Sequence, residues 1–287
     1  MYFPPHFDLR LSIELARLIM QAYQQLEAFE RDTSWTLTGG YTLIKELCQE
    51  QSAGIIHSQY YSEIRKLRLR PSKGKGHPIG FVAVKGRNAF VVFRGTVTIP
   101  EWVRTLNVRL SAYPESGFGK VHDGFLETYT AIRRDVMEAI MQLGRRSTLF
   151  VAGHSLGGAL ATLALPDISI NTRFKDPKIY TFGSPRVGDR TFSESFNGMF
   201  ADTSFRLANT SDVVVSLPLP VPILGVIGGY FNHVETPVDF AIQEEDLEKN
   251  HVIETYLSAL LSSGNEMVKH IFRWRPVTKN EPREAGQ

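Results

Sequence analysis

Apolar residues near the start of the chain recur at three- and four-residue spacing, a pattern that predicts an amphipathic helix. These positions are Leu11, Leu15, Leu18, Ile19, Ala22, Tyr23 and Leu26. A glycine-containing break at Thr38–Gly40 follows. Further along, the apolar runs 81–84 and 89–93 flank the turn-like residues 85–88, so this segment predicts a β-hairpin.

The remainder of the chain alternates between helical and strand-like patterns. We expect a helix over about 125–143, a strand over 147–152, an Ala- and Leu-rich helix that Pro166 ends, and buried strands over 179–182 and 205–208. This order predicts an α/β fold with a mainly parallel sheet flanked by helices. Because the pattern contains no linker, residues 1–274 are predicted to form one domain, and the polar residues 275–287 a frayed tail.

Composition narrows the functional classes. The net charge is +2 and the basic residues are scattered, which argues against nucleic-acid binding. The single cysteine, Cys48, can form neither an intramolecular disulfide nor a four-thiolate zinc site, and we predict no metal and no cofactor. The first residues lack a secretory signal, so we expect a cytoplasmic protein that contacts membranes only peripherally.

The longest apolar run, Val213–Phe231, contains three prolines and three glycines. These residues would break a spanning helix repeatedly, so we expect no transmembrane segment. An apolar wall beside a binding site is the alternative that we favour.

The strongest chemical signal is Gly153-His154-Ser155-Leu156-Gly157, which connects a predicted strand to a predicted helix. This context is typical of a nucleophile elbow, in which glycines permit close packing and the serine hydroxyl is exposed on a strained turn. Ser155 is therefore the candidate nucleophile. A serine hydroxyl also needs a base, an orienting acid and an oxyanion hole.

The acid and the base of such hydrolases follow the serine in that order along the chain. Asp212 comes directly after the strand 205–208, whereas Asp189 and Asp202 precede it, so we favour Asp212. Among the later histidines, His251 follows a charged stretch and begins an apolar helical pattern, whereas His233 lies in an apolar context. We expect His251, on a loop at a helix start, to be the base, and His233 to be structural.

The end of the hairpin, Arg94-Gly95-Thr96, is the candidate oxyanion loop. The second oxyanion donor is expected from the backbone of Leu156, and Thr96 supplies the first. A short amphipathic helix is predicted just after this loop. The apolar face of this helix consists of Ile99, Trp102, Val103 and Leu106. These residues are candidates for a mobile lid or for contacts with an acyl chain. The alternative is that the same face packs permanently into the core.

Five blocks together resemble the fungal-type class 3 lipases, and they cover about Phe81 to Tyr256. They begin at Arg94, Val121, Gly153, Phe182 and Asp212. The resemblance implies an α/β-hydrolase fold with Ser155, Asp212 and His251 as the triad and Thr96 and Leu156 as oxyanion donors.

The resemblance also implies that His122 lies beside the nucleophile and that Tyr230 and His233 are structural; His154 is a further candidate for supporting the site. Three features depart from the family pattern: Thr105 stands where lid helices often carry Asp or Asn, Pro166 would shorten the helix after the elbow, and disulfides are absent.

The implied function is a serine hydrolase that cleaves carboxylic esters of lipids, as triacylglycerol lipases do, with transient contact to a lipid–water interface. A phospholipase A1, a galactolipase or a short-chain carboxylesterase would use the same triad. A non-catalytic lipid- or partner-binding protein would keep the fold and lack a triad member. No member is missing from this sequence.

Overall fold

The structure is a computed structural model that describes residues 1–49, 76–96, 109–218 and 231–273, with side chains as far as residue 264. Its helices are α1 (Leu9–Glu30), α2 (Asp123–Met141), α3 (Leu156–Asn171), α4 (Arg190–Phe200), α5 (Leu247–His251) and α6 (Ile253–Arg273). Its strands are β1 (Thr42–Gln49), β2 (His77–Lys85), β3 (Asn88–Phe93), β4 (Leu110–Ala112), β5 (Lys120–His122), β6 (Thr148–His154), β7 (Lys178–Phe182), β8 (Ser204–Asn209) and β9 (Thr236–Phe240).

A seven-stranded sheet with the order β1-β2-β3-β6-β7-β8-β9 organises the described residues. Strands β1, β2 and β3 pair antiparallel, and every later pair from β3 to β9 is parallel. The predicted hairpin and mainly parallel sheet are thus confirmed. Because parallel strands end at one edge of the sheet, the segments that follow β3, β6 and β8 lie close together.

Side chains alternate between the two faces of the sheet and build a core on each face. Phe90 and Val92 of β3 pack with α1 and α6, whereas Val91 and Phe93 pack with α2, α3 and α4. The predicted N-terminal helix is therefore an integral layer of the fold. Its apolar stripe covers one face of the sheet.

The prediction that Pro166 ends the helix after the elbow is wrong. Helix α3 continues to Asn171 with Pro166 inside it, and every residue from Gly157 to Ser169 is buried. An internal proline costs about 3 kcal/mol. The helix continues because Ile168, fully buried, contributes about 1.5–3 kcal/mol, and because Asp167 receives hydrogen bonds from Tyr129 and Arg133.

In the seven-stranded sheet, the two edge strands β1 and β9 were not predicted, and neither was the separate two-stranded sheet of β4 and β5. Strand β1 carries Lys45, whose ammonium contacts Asp135 and Glu138 at 2.7 and 2.9 Å. Strand β9 contains Pro237 and Asp239. Edge strands tolerate charges and proline, so they lack the continuous apolar run of a central strand.

Several predictions lie wholly or largely outside the described residues: the lid candidates Ile99, Trp102, Val103 and Leu106, Thr105, most of the apolar run Val213–Phe231 including Tyr230, and the tail 275–287. Within the ranges that the structure does describe, no helix is both long enough and apolar enough to span a membrane.

Candidate active site

Ser155 occupies the sharp turn between the end of β6 and the start of α3. Its backbone angles are φ 57° and ψ −127°, a left-handed conformation that a non-glycine residue adopts only under strain of about 1–3 kcal/mol. The Ser155 N–H donates to the carbonyl of Phe182 at 2.9 Å, which ties the turn to β7. The predicted strand–turn–helix context of the elbow is thus present.

The glycines of the motif are required by close backbone contacts. A Cβ atom on Gly153 would lie 2.0 Å from the carbonyl oxygen of Gly157, and one on Gly157 would lie 2.5 Å from the carbonyl oxygens of Phe93 and Arg94. A Cβ on Gly158 would lie 2.7 Å from the Cβ of Ser184. These distances show that strand, turn and helix are packed too tightly here for any side chain.

Asp212 and His251 are in direct contact. The Nδ1 atom of His251 lies 2.6 Å from Oδ2 of Asp212, and both side chains are fully buried. The same Oδ2 accepts a hydrogen bond from the Tyr256 hydroxyl at 2.6 Å, and Oδ1 accepts from the Val214 N–H at 2.9 Å. Burial raises the pKa of Tyr256, and the neighbouring Asp212 raises it further. The hydroxyl of Tyr256 therefore stays protonated and donates.

The proton positions of His251 follow from these contacts. An ionised carboxylate only accepts hydrogen bonds, so Nδ1 of His251 carries a proton, and in a neutral imidazole the lone pair is then on Nε2. Among the described residues, the buried Nε2 of His251 has no hydrogen-bond partner. In its neutral form the ring would therefore present Nε2 as an unused acceptor atom.

Asn209, at the end of β8, links the segments that carry Asp212 and His251. Its side-chain amide donates to the carbonyls of Asn250 and Ile242 at 3.0 and 2.9 Å, and its own N–H donates to the hydroxyl of Tyr256 at 3.3 Å. Sequence reasoning did not single out Asn209 or Tyr256. Their positions, at a strand end and one helical turn after His251, offered the only signal.

His154, the residue before Ser155, lies between α1 and His251. Its Nδ1 is 2.7 Å from the hydroxyl of Tyr23, and its Nε2 is 2.7 Å from the carbonyl oxygen of His251. The rings of His154 and His251 are 4.7 Å apart between centroids. Burial and the neighbouring His251 hold the pKa of His154 well below its usual value.

The candidate oxyanion loop lies directly against the elbow. A Cβ on Gly95 would be 2.6 Å from the Cβ of Ser155. The N–H of Gly95 donates to the Tyr23 hydroxyl at 2.9 Å, so this amide already has an acceptor, whereas the Gly95 carbonyl accepts from Nη1 of Arg94 at 2.6 Å. In a trans peptide the N–H points opposite to the carbonyl, so Arg94 also determines the direction of the Thr96 N–H.

Leu156 is the first residue of α3, where backbone N–H groups have no intrahelical acceptor. Thr96 is the last described residue after β3 and is partly buried. Both therefore lie on the two segments that meet at Ser155. Their role as oxyanion donors stays a prediction.

The remaining candidate residues have contacts of their own. His233 donates through Nε2 to the carbonyl of Val215 at 2.8 Å, and burial, with a smaller effect of Arg206, lowers the pKa of His233 to about 3. Asp189 accepts from the Phe192 N–H as the N-cap of α4. Nδ1 of His122 accepts the Phe125 N–H and so caps α2, and the His122 ring stacks on that of Phe125; its expected place beside Ser155 stays a prediction.

The expected local setting of His251 needs a correction. The residue ends the short helix α5 and precedes α6, and it is not on a loop. Asp246 caps α5 by accepting from the Lys249 N–H at 2.7 Å, which turns the charged stretch into a helical turn that delivers His251 into the interior.

The site is enclosed. Ser155 and Asp212 are each 1% exposed and His251 is 0% exposed. Ser155 is therefore almost closed off from solvent in this conformation.

Comparison with known proteins places this arrangement in context. The profile of a protein family described as Lipase (class 3) matches residues 90–221. The phospholipase A1 EG1, chloroplastic/mitochondrial, of Oryza sativa subsp. indica is 30% identical over 238 residues, which is 67% of this chain and 54% of the relative. A lipase of Rhizomucor miehei is 31% identical over 145 residues, 46% of this chain and 38% of the relative. The chain thus spans about half or less of these relatives.

A solved structure of the Rhizomucor miehei triacylglyceride lipase is similar with a TM-score of 0.56 and 23% identity. The alignment covers 79% of this chain and 80% of that chain. A likeness at this identity concerns the fold alone. It confirms the α/β-hydrolase fold that the sequence motifs imply.

Proposed function

Because the chain belongs to the class 3 lipase family, we propose that it is a carboxylic ester hydrolase that acts on lipid esters, with Ser155, Asp212 and His251 as its catalytic triad. One observation carries the triad. The Nδ1 of His251 contacts Asp212 at 2.6 Å while its Nε2 has no partner among the described residues. A base in this state can accept the proton of a serine hydroxyl.

Acylation starts at Ser155. His251 Nε2 takes the hydroxyl proton as Oγ attacks the ester carbonyl carbon, and Asp212 stabilises the resulting imidazolium through Nδ1. The tetrahedral intermediate collapses when the same proton passes from Nε2 to the leaving alkoxide, which departs as the alcohol. Ser155 then carries the acyl group as an ester.

Deacylation repeats these steps with water. His251 takes one proton of the water molecule while its oxygen attacks the acyl carbon, and the proton then returns to Oγ of Ser155 as the free fatty acid leaves. The backbone N–H of Leu156 and the Thr96 backbone or hydroxyl would stabilise the oxyanion in both steps. Each such donor is worth about 10²–10³ in kcat.

Triacylglycerol is the proposed substrate class, in line with the Rhizomucor relative named as a lipase. Cleavage of the phospholipid sn-1 ester is the second candidate, since the relative that shares the longest aligned stretch cited above is named a phospholipase A1. Both reactions break the same kind of ester bond. The two lipids differ in the rest of the molecule that the active site must accommodate beside the ester that is cleaved.

The nucleophile is tested with Ser155→Ala and with Ser193→Ala, a matched control whose buried hydroxyl bonds the Arg190 carbonyl on α4. Both are assayed on p-nitrophenyl esters of graded chain length, triacylglycerol emulsion, phospholipid vesicles and galactolipid vesicles. We expect Ser155→Ala to lose at least about 10³-fold in kcat while the control retains it. Equal turnover by wild type and Ser155→Ala would refute the proposal.

The base is tested by comparing His251→Ala with His233→Ala on the same ester. Loss should be confined to His251→Ala, because His233 contacts Val215 and not Asp212. Loss in His233→Ala alone would transfer the role to that residue. The preferred substrate of the wild type, emulsion or vesicle, decides between the two candidate lipid classes.

A further inference from the structure

Tyr23 of α1 contacts two segments that meet at the nucleophile. Its hydroxyl lies 2.9 Å from the N–H of Gly95, at the end of β3, and 2.7 Å from Nδ1 of His154, at the end of β6. Its ring packs edge-on against the His154 ring, with 5.8 Å between centroids. A helix far from Ser155 in sequence thus makes polar contacts beside it.

The direction of each hydrogen bond in this group follows from its two ends. The carbonyl of His251 only accepts, so Nε2 of His154 must carry a proton and donate to it. A neutral imidazole then leaves Nδ1 as an acceptor, so the Tyr23 hydroxyl donates to Nδ1. The lone pairs of that hydroxyl remain to accept the Gly95 N–H.

The resulting chain runs from the Gly95 N–H through Tyr23 and His154 to the His251 carbonyl, with one proton for each contact. Every donor in it has one acceptor, so the order is unambiguous. Its two ends hold the backbone of the candidate oxyanion loop and the backbone of the candidate base. Small displacements of either segment have large effects on catalysis, since about 1 Å costs about 10²-fold in rate.

The uncharged state of His154 also matters for catalysis, because its ring is close to that of His251. Its ring lies 4.7 Å from that of His251, which must become positively charged during acyl transfer. A second positive charge at that distance would oppose the imidazolium. Burial keeps His154 uncharged and the hydroxyl of Tyr23 protonated, because it lowers the pKa of the former and raises that of the latter.

We propose that Tyr23 and His154 are positioning residues that hold the Gly95 amide and the His251 carbonyl at fixed places around Ser155. This inference rests on the proposed function for its effect on turnover. Neither residue is required to touch the substrate. Tyr23 acts through Gly95 and His154, and His154 acts through the backbone of His251.

The kinetic test is Tyr23→Phe, which removes only the hydroxyl. Tyr113→Phe is the matched control, because Tyr113 is buried and its hydroxyl donates to the Leu163 carbonyl at 2.7 Å. On a soluble p-nitrophenyl ester, we expect kcat of Tyr23→Phe to fall about 10- to 100-fold with KM within about twofold. The two variants should lose similar thermal stability. A kcat for Tyr23→Phe as high as that of the control would overturn the inference.

The test of His154 uses rescue. His154→Gln keeps an amide donor for the His251 carbonyl and an amide acceptor for Tyr23, whereas His154→Leu has neither. We expect the glutamine variant to retain at least about five times the kcat of the leucine variant. Equal rates in folded samples of both would mean that the hydrogen bonds do not matter.

A third measurement is independent of turnover. In protein with ¹⁵N-labelled histidine, His154 should show the Nε2–H tautomer and no titration between about pH 5 and 9. An Nδ1–H tautomer, or a titration in that range, would overturn the proposed bond order even if Ser155→Ala abolished activity. Conversely, activity in Ser155→Ala would refute the proposed function while this signature could still stand.

Discussion

Replacing Glu235 by glutamine should make the stability of the protein less dependent on pH. Glu235 precedes β9 and is buried, and the hydroxyls of Thr181 on β7 and Thr162 on α3 lie 2.5 and 3.3 Å from its two carboxyl oxygens. The hydroxyl oxygen of Thr162 also lies 2.9 Å from the carbonyl oxygen of Gly158. Apart from these two hydroxyl groups, burial dominates the surroundings of the carboxyl group, and burial favours its protonated, uncharged form.

The magnitude follows from the pKa of that carboxyl group. Burial raises the pKa of Glu235 from 4.5 to about 8, against smaller opposing effects of Thr181, Arg206 and Thr162. Between these two pH values the folded state keeps the proton and the unfolded state loses it. The free energy of unfolding therefore falls as pH rises across this window and is level above it. At about 1.4 kcal/mol for each pH unit, the largest loss in the free energy of unfolding across this window is about 5 kcal/mol.

The assay is urea unfolding at several pH values from about 5 to 8, for wild type and Glu235→Gln. The difference between the two proteins should grow in favour of glutamine as pH rises, because the amide carries no charge in either state. Glu127→Gln, at an exposed position on α2, is the control and should track the wild type. A difference between wild type and Glu235→Gln that is constant with pH would refute the reasoning.

Two further predictions concern the site. Tyr256→Phe removes one of the hydrogen bonds to Asp212, which is worth about 1–2 kcal/mol, so kcat for ester hydrolysis should fall about 10-fold. An unchanged kcat would contradict this prediction. Gly158→Ala places a Cβ 2.7 Å from the Cβ of Ser184 and should lower the Tm by several degrees. Gly198→Ala is the control, because the space around Gly198 is open, and a thermal scan of both variants should show no such loss for it.

The secondary-structure elements that could be predicted from the sequence are those in which one factor, such as burial on both faces, determines the residue pattern. Strands β3, β6, β7 and β8 are central and buried on both faces, so they form apolar runs. The edge strands β1 and β9 have one open edge and carry polar residues, so their patterns resemble loops. Pro166 misled the prediction because local propensity was outweighed by the burial of α3 on all sides.

The same distinction applies to the site. The elbow around Ser155 is a local motif and its context was predictable, and chain order pointed to Asp212 and His251. The supporting residues were not found because their roles arise only in three dimensions. Tyr23 counted as one more apolar position in the stripe of α1, since periodicity registers its ring and not its hydroxyl.

The backbone of Ser155 has a consequence for engineering. Glycine adopts positive φ without a steric penalty, so Ser155→Gly would release strain of about 1–3 kcal/mol while deleting the proposed nucleophile. A library screened for heat resistance alone would thus be enriched in chains that have lost turnover at this position. Selection for thermal tolerance in this protein needs an activity screen applied in the same round.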